Sequence, residues 1–83
     1  MTPWLEAALA IGRGELGAAA AVLERIGAAA FEAQVRLRWG RRLLADGRRA
    51  EAAAELAAAR AFFTRVGAVA DIRAAEALLP AVG

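Results

Sequence analysis

The sequence predicts an all-α protein of about five helices, and three observations carry that prediction. Glycine-marked breaks at Gly12-Arg13-Gly14, Gly27, Asp46-Gly47 and Gly67 cut the chain into segments of helical length. Within the segments the larger apolar residues recur at spacings of three and four, the period of one helix face. Alanine, the strongest helix former, supplies 26 of the 83 residues, and no segment has the period-two, β-branched character of a strand.

The first helix opens at Thr2-Pro3, an N-cap followed by proline where the missing N–H costs nothing. Trp4, Leu5, Ala8 and Leu9 share one face of it, and it runs to about Ile11. A second helix spans about Glu15 to Ile26, with Leu16, Ala19, Val22, Leu23 and Ile26 on one side and Gly27 as its stop. The third runs from about Ala29 to Ala45. The fourth, about Arg49 to Val66, carries Ala52, Leu56, Ala59, Phe63 and Val66 on one face. The last, about Val69 to Leu79, has Asp71 in its first turn, where the dipole favours an acid, and Pro80 to end it.

A chain of this length is one small domain or a fragment of a larger one, and it buries only about 60% of the surface its unfolded form exposes. Large core formers are few: Trp4, Trp39, Phe31, Phe62, Phe63 and a modest set of Leu, Ile and Val. Such a core demands close helix-to-helix packing or cover from another surface. Phe62 and Phe63 are adjacent, so one packs inside its own helix pair and the other against the next helix or another chain. Trp39 and Leu56 are expected to be buried between the third and fourth helices.

The net charge of +2 creates no field that demands a nucleic-acid partner. With no cysteine there are no disulfides and no thiolate chemistry. No charge-free apolar run is long enough to span a membrane, and nothing resembles a signal peptide, so a cytoplasmic protein is the expectation. Catalysis finds no footing. The only hydroxyl side chains are Thr2 and Thr64, with no His or Cys to activate or replace them. Glu51 and Glu55 lie one turn apart, but a carboxylate metal site in a bundle needs four convergent acids with His support. The expected catalytic, metal and cofactor sets are empty: the protein is read as a non-enzyme.

Residues 36–49 hold six of the eleven arginines, with Asp46 the only acid among them. On a helical wheel Gln34, Arg38, Arg41, Arg42 and Ala45 cluster within about 100°. Val35, Trp39 and Leu43 lie on one flank, with Ala33, Leu37, Gly40 and Leu44 on the other. Arg36 stands between the flanks beside Glu32, an i,i+4 pair in the favourable orientation. A helix with two apolar flanks is touched on two sides. Gly40 fits such a helix, because a missing side chain lets a neighbour approach closely, at a propensity cost of roughly 1 kcal/mol. Arg48 and Arg49, at a turn and a helix start where the dipole disfavours cations, read as surface residues with a reason external to the fold.

The turns carry a repeat. Gly14, Ala19, Leu23 and Ile26 recur as Gly47, Ala52, Leu56 and Ala59, each displaced by 33 residues, while "LERIGA" at 23–28 matches "FTRVGA" at 63–68, displaced by 40. Self-matches at such displacements in helix-turn-helix units mark an α-solenoid. Trp39-Gly40, Leu43, Gly47, Glu51-Ala52, Leu56 and Ala59 resemble one tetratricopeptide repeat. The pattern departs at Thr64, where proline is usual, and at Arg36, where a large residue is common. More narrowly, Phe31 to Leu79 is similar to the C-terminal helical tails of actinobacterial multidomain signalling proteins of the cyclase, ATPase and regulator type. The similar stretches are Glu32-Ala33, residues 35–38, 47–52, 62–68 and 73–79.

The resemblance implies a protein-interaction or scaffolding module and carries over no catalytic residue. It implies one helical-repeat domain over residues 1–83, with helix pairs at about 3–26 and 29–66 and a closing helix at about 69–79. The first helix of each repeat lines a concave groove, into which Gln34, Leu37, Arg41, Leu44 and Ala45 are expected to point. Gln34, Arg38, Arg41 and Arg42 are therefore the candidate partner-binding residues, suited to carboxylates or an acidic peptide. The plain rival is a solvated face that keeps the helix soluble. Stacked repeats need three or more units, so a homodimer or a place in a larger assembly is expected to cover the ends. A structural helical-bundle oligomer without a groove is the alternative function, and a regulator with a basic nucleic-acid-binding face ranks third. No motif supports nucleic-acid recognition, and no free apolar face supports membrane insertion.

Overall fold

The computed structural model describes residues 2–79, which form five helices and no strand: α1 (Pro3–Gly12), α2 (Leu16–Arg25), α3 (Ala29–Ala45), α4 (Arg49–Val66) and α5 (Val69–Leu78). The chain is all-α. None of these helices is long and apolar enough to cross a membrane. The Thr2 hydroxyl accepts the Leu5 N–H at 3.2 Å and Pro3 occupies the first helical position, as the sequence predicts. The expected stop at Pro80 lies outside the described residues.

All four connections use one device. Gly14, Gly27, Gly47 and Gly67 have φ between 74° and 78°, the left-handed conformation that glycine alone adopts without a Cβ penalty. The residue after each glycine donates its N–H back to a carbonyl in the preceding helix: Glu15 to Ala10, Ala28 to Leu23, Arg48 to Leu43 and Ala68 to Phe63, at 2.8–2.9 Å. This is the Schellman closure. The same four residues cap the following helices through their own carbonyls, which accept from Ala19, Glu32, Ala52 and Ile72. One backbone unit thus ends one helix and starts the next. A capping side chain is unnecessary, and none of the four makes a side-chain cap bond.

Consecutive helices pack on one another, most extensively α3 on α4. Two apolar clusters result. One joins α1 and α2 to Val35 of α3 and includes Ala19, Ala20 and Leu23. The other joins Ala33 and Leu37 of α3 to Leu56, Ala59 and Phe63 of α4 and Ala75 of α5. Helix α3 therefore contributes to both, as its two apolar flanks predict. Alanines occupy some of the most enclosed positions: Ala19, Ala52, Ala59 and Ala75 have no exposed surface. The offset of 33 residues pairs like positions, since Gly14 and Gly47 share the left-handed turn, Ala19 matches Ala52 and Leu23 matches Leu56 in burial. Ile26 differs from Ala59 in remaining half-buried.

Close approach is most severe where α3 meets α4. A Cβ on Gly40 would stand 2.6 Å from both Cγ and Cδ2 of Leu56, a side chain with no exposed surface. A second close approach joins α2 to α3: a Cβ on Gly17 would lie 2.9 Å from the Trp39 ring. The neighbour expected for Trp39 is thereby corrected. Its ring is half-buried with the α1–α2 cluster, while Leu56 is buried in the α3–α4 seam. The wheel set Trp39 beside Val35, on the flank that faces α2 rather than α4. Leu37 and Leu44, expected in an open groove, instead pack in the α3–α4–α5 cluster, because they share Gly40's flank. Phe63 is enclosed, and Phe62 meets it edge-on at 6.0 Å with the Arg65 guanidinium over its outer face.

Two glycine substitutions separate packing from helix propensity. Gly12, in the last turn of α1, has nothing within reach of an added Cβ, so Gly12→Ala should gain up to about 1 kcal/mol. Gly40→Ala gains the same propensity but overpacks Leu56 at about 1–3 kcal/mol, so its net effect should be a loss. Thermal melts should shift in opposite directions. A rise in melting temperature for Gly40→Ala would show that the α3–α4 seam has slack.

Candidate functional site

Arg36 establishes which side of α3 is turned inward. Its Nε donates to Glu32 at 2.7 Å, its Nη1 to Glu55 on α4 at 2.5 Å and its Nη2 to Glu24 on α2 at 3.1 Å. The Arg36 side chain is only 17% exposed, and burial works against its charge; the hydrogen bonds and charges of Glu32 and Glu55 more than offset this and raise its pKa. The predicted Glu32–Arg36 pair is present, within a larger cluster that also joins α2 and α4. At 100° per residue, Gln34 and Arg38 lie about 160° from Arg36 in either direction, on the opposite side of the helix. That side is shared with α1 and α5.

On it, Trp4 of α1 and Phe31 of α3 stack edge-to-face with centroids 5.5 Å apart. Both are large apolar surfaces left in water: Trp4 is 54% and Phe31 62% exposed. Both were expected in the core. A cavity of about 210 Å³ opens between α1 and α3, lined by Trp4, Ala8, Ile11, Phe31 and Val35. A second, of about 380 Å³, lies on the other side of Phe31, lined by Gln34, Phe62, Val66 and Asp71 among others. Both are mainly apolar in lining, and Phe31 is the partition between them. Along α3 from Phe31 the same face continues through Gln34, Arg38, Arg41 and Arg42, all exposed. Arg42 reaches toward the α1–α2 turn, where its Nη1 would lie 3.3 Å from a Cβ on Gly14. The four candidate residues are thus on one face, and the structure adds Trp4 and Phe31 to them. A signal for Phe31 existed, because position 31 falls within about 20° of Arg38 and Arg42 on the wheel.

Several of the other charges are committed to the fold. Each consecutive helix pair is bridged by an Arg–Glu ion pair: Arg25–Glu6, Arg36–Glu24, Arg36–Glu55 and Arg60–Glu76, at 3.3, 3.1, 2.5 and 4.0 Å. Arg48 holds Glu51 through two bonds at 2.9 and 2.6 Å, so its reason is internal: a first-turn acid neutralised by the capping residue. Arg38, Arg41 and Arg42 make no ion pair among the described residues. Glu51 and Glu55 are each held by an arginine, and no group of three residues that could hold a metal occurs among the described residues.

The two classes of arginine should respond differently to substitution. Arg36→Ala leaves Glu32 and Glu55, both largely buried, facing one another without a cation. Fully buried pairs cost about 3–5 kcal/mol to break, so this partly exposed one should cost about 2 kcal/mol. The melting temperature should fall by roughly 8–16 °C. Reversing Arg38 and Arg41 to Glu together should shift it by no more than about 4 °C. Circular dichroism melts of the two variants check this, and equal losses would contradict the division. Comparison with protein-family models, curated proteins and solved structures gives no match for this chain.

Proposed function

We propose that this chain is a protein-interaction module of tetratricopeptide-like type, with no catalysis of its own. In this reading the face shared by α1, α3 and α5 is where another protein docks. One observation carries it: the exposed Trp4–Phe31 pair between two apolar cavities, continuous with arginines that the fold does not use. Full burial of a large side chain contributes roughly 1.5–3 kcal/mol, and two half-exposed rings forgo about half of that each, a real share of the stability of a small domain. A partner recovers that energy on docking. Apolar anchors surrounded by polar residues are the anatomy of an interface hot spot.

A second reading has its own support. Leu5 and Leu9, one turn apart on the outer side of α1, are 50% and 37% exposed, which favours self-association through the first helix. The two readings use different residues and are separable. A photo-reactive amino acid placed at Gln34 should crosslink a second, different protein in cells, whereas one at Ala57 on the exposed side of α4 should not. Equal labelling from both positions, or adducts only with the chain itself, would contradict the docking face.

A further inference from the structure

The two cavities beside Phe31 and the arginines beyond it define what kind of segment fits this face. We infer that the occupant is a peptide segment of another protein carrying two large apolar side chains, one for each side of Phe31, and carboxylates set to one side of them; this rests on the docking-face reading. The cavities set the first requirement. At about 210 and 380 Å³ they fall below or near the lower end of the range of small-molecule sites, and each opens on the surface. Two shallow recesses separated by a single ring fit two side chains of one chain better than one compact ligand.

Charge sets the second requirement. Arg38, Arg41 and Arg42 follow Phe31 along α3 with no acid partner among the described residues, while Asp71 sits at the opposite edge, in the lining of the larger cavity. The face is therefore polarised, with positive charge toward the C-terminal end of α3. A docked segment is oriented by this asymmetry, since its acids are attracted at one end and repelled at the other. At 1.5 Å per residue the arginines lie about 10–16 Å from Phe31 along the helix. In an extended partner that distance separates apolar anchors from acids by roughly three to five residues. In a helical partner it separates them by about seven to eleven residues.

Selection from a random dodecapeptide library on the immobilised full chain tests the inference. Wild-type protein should enrich peptides with paired apolar anchors and acids at one of these spacings. Arg38→Glu/Arg41→Glu should bind the enriched peptides roughly tenfold or more weakly and no longer select acids. Phe31→Ala should lose the apolar selection, and circular dichroism confirms that both variants remain folded. Enriched peptides without acids, or with acids but equal affinity for the double variant, would overturn the inference while leaving the docking face standing. No enrichment above bare support would overturn both. Retention of a short DNA duplex that the double variant loses would also overturn it, as would a dimer that Phe31→Ala converts to monomer.

Discussion

The separation between α3 and α4 at Gly40 and Leu56 is the constraint on which the rest of the molecule depends. A chain with so many alanines has little large apolar area to bury, so it must recover stability by bringing backbones close. Gly40 removes the one side chain that would hold the two helices apart, and Leu56 occupies the space with no surface exposed. Once α4 is seated there, Ala33, Leu37 and Leu44 are covered on that flank, and α5 completes the cluster through Ala75. The other flank of α3 is closed by α2 through Gly17 and Trp39. Only the third side of α3 is left open, and it is the side that carries Phe31, Gln34, Arg38, Arg41 and Arg42.

Electrostatics follows the same geometry. Partly buried arginine needs acids from the elements around it, and Arg36 receives one each from α2, α3 and α4. Arg25 and Arg60 bridge the outer helix pairs at more exposed positions, where such contacts contribute about 0–1 kcal/mol. The arginines on the open side stand outside this ladder. The ion-pair ladder and the open face thus draw on different members of one residue type, which separates their energetics.

Helix boundaries were legible in the sequence because the turn chemistry is local. A Schellman closure needs a residue at positive φ, and each of the four glycines that end a segment marks one; the bounds of α3 and α4 follow directly. The two-flanked character of α3 was legible for the same reason, since a wheel needs only the helical period. What periodicity does not encode is the identity of the neighbour. Trp39 and Gly40 are adjacent in sequence yet face different helices, so expecting Trp39 between α3 and α4 misassigned it. The reach of Arg36 to Glu24 and Glu55 depends on how three helices are stacked, and only Glu32, one turn away, was visible beforehand. Trp4 and Phe31 were misread because large aromatic residues are usually core; in α3 the arginine stripe on Phe31's own side argued otherwise.

If the α3–α4 seam organises the fold, stability should decline outward from it. Residues in α3 and α4 are enclosed on the most sides, whereas α1 and α5 each pack chiefly on one neighbour. Local opening free energies then range from the global value at the seam to much smaller values at the outer helices. Native-state amide hydrogen exchange followed by mass spectrometry reads this directly. The predicted result is slowest exchange in the peptides covering 35–44 and 52–63, governed by global unfolding, with α1 and α5 exchanging first. Protection of α1 equal to or greater than that of α3 and α4 would contradict the seam as the organising element.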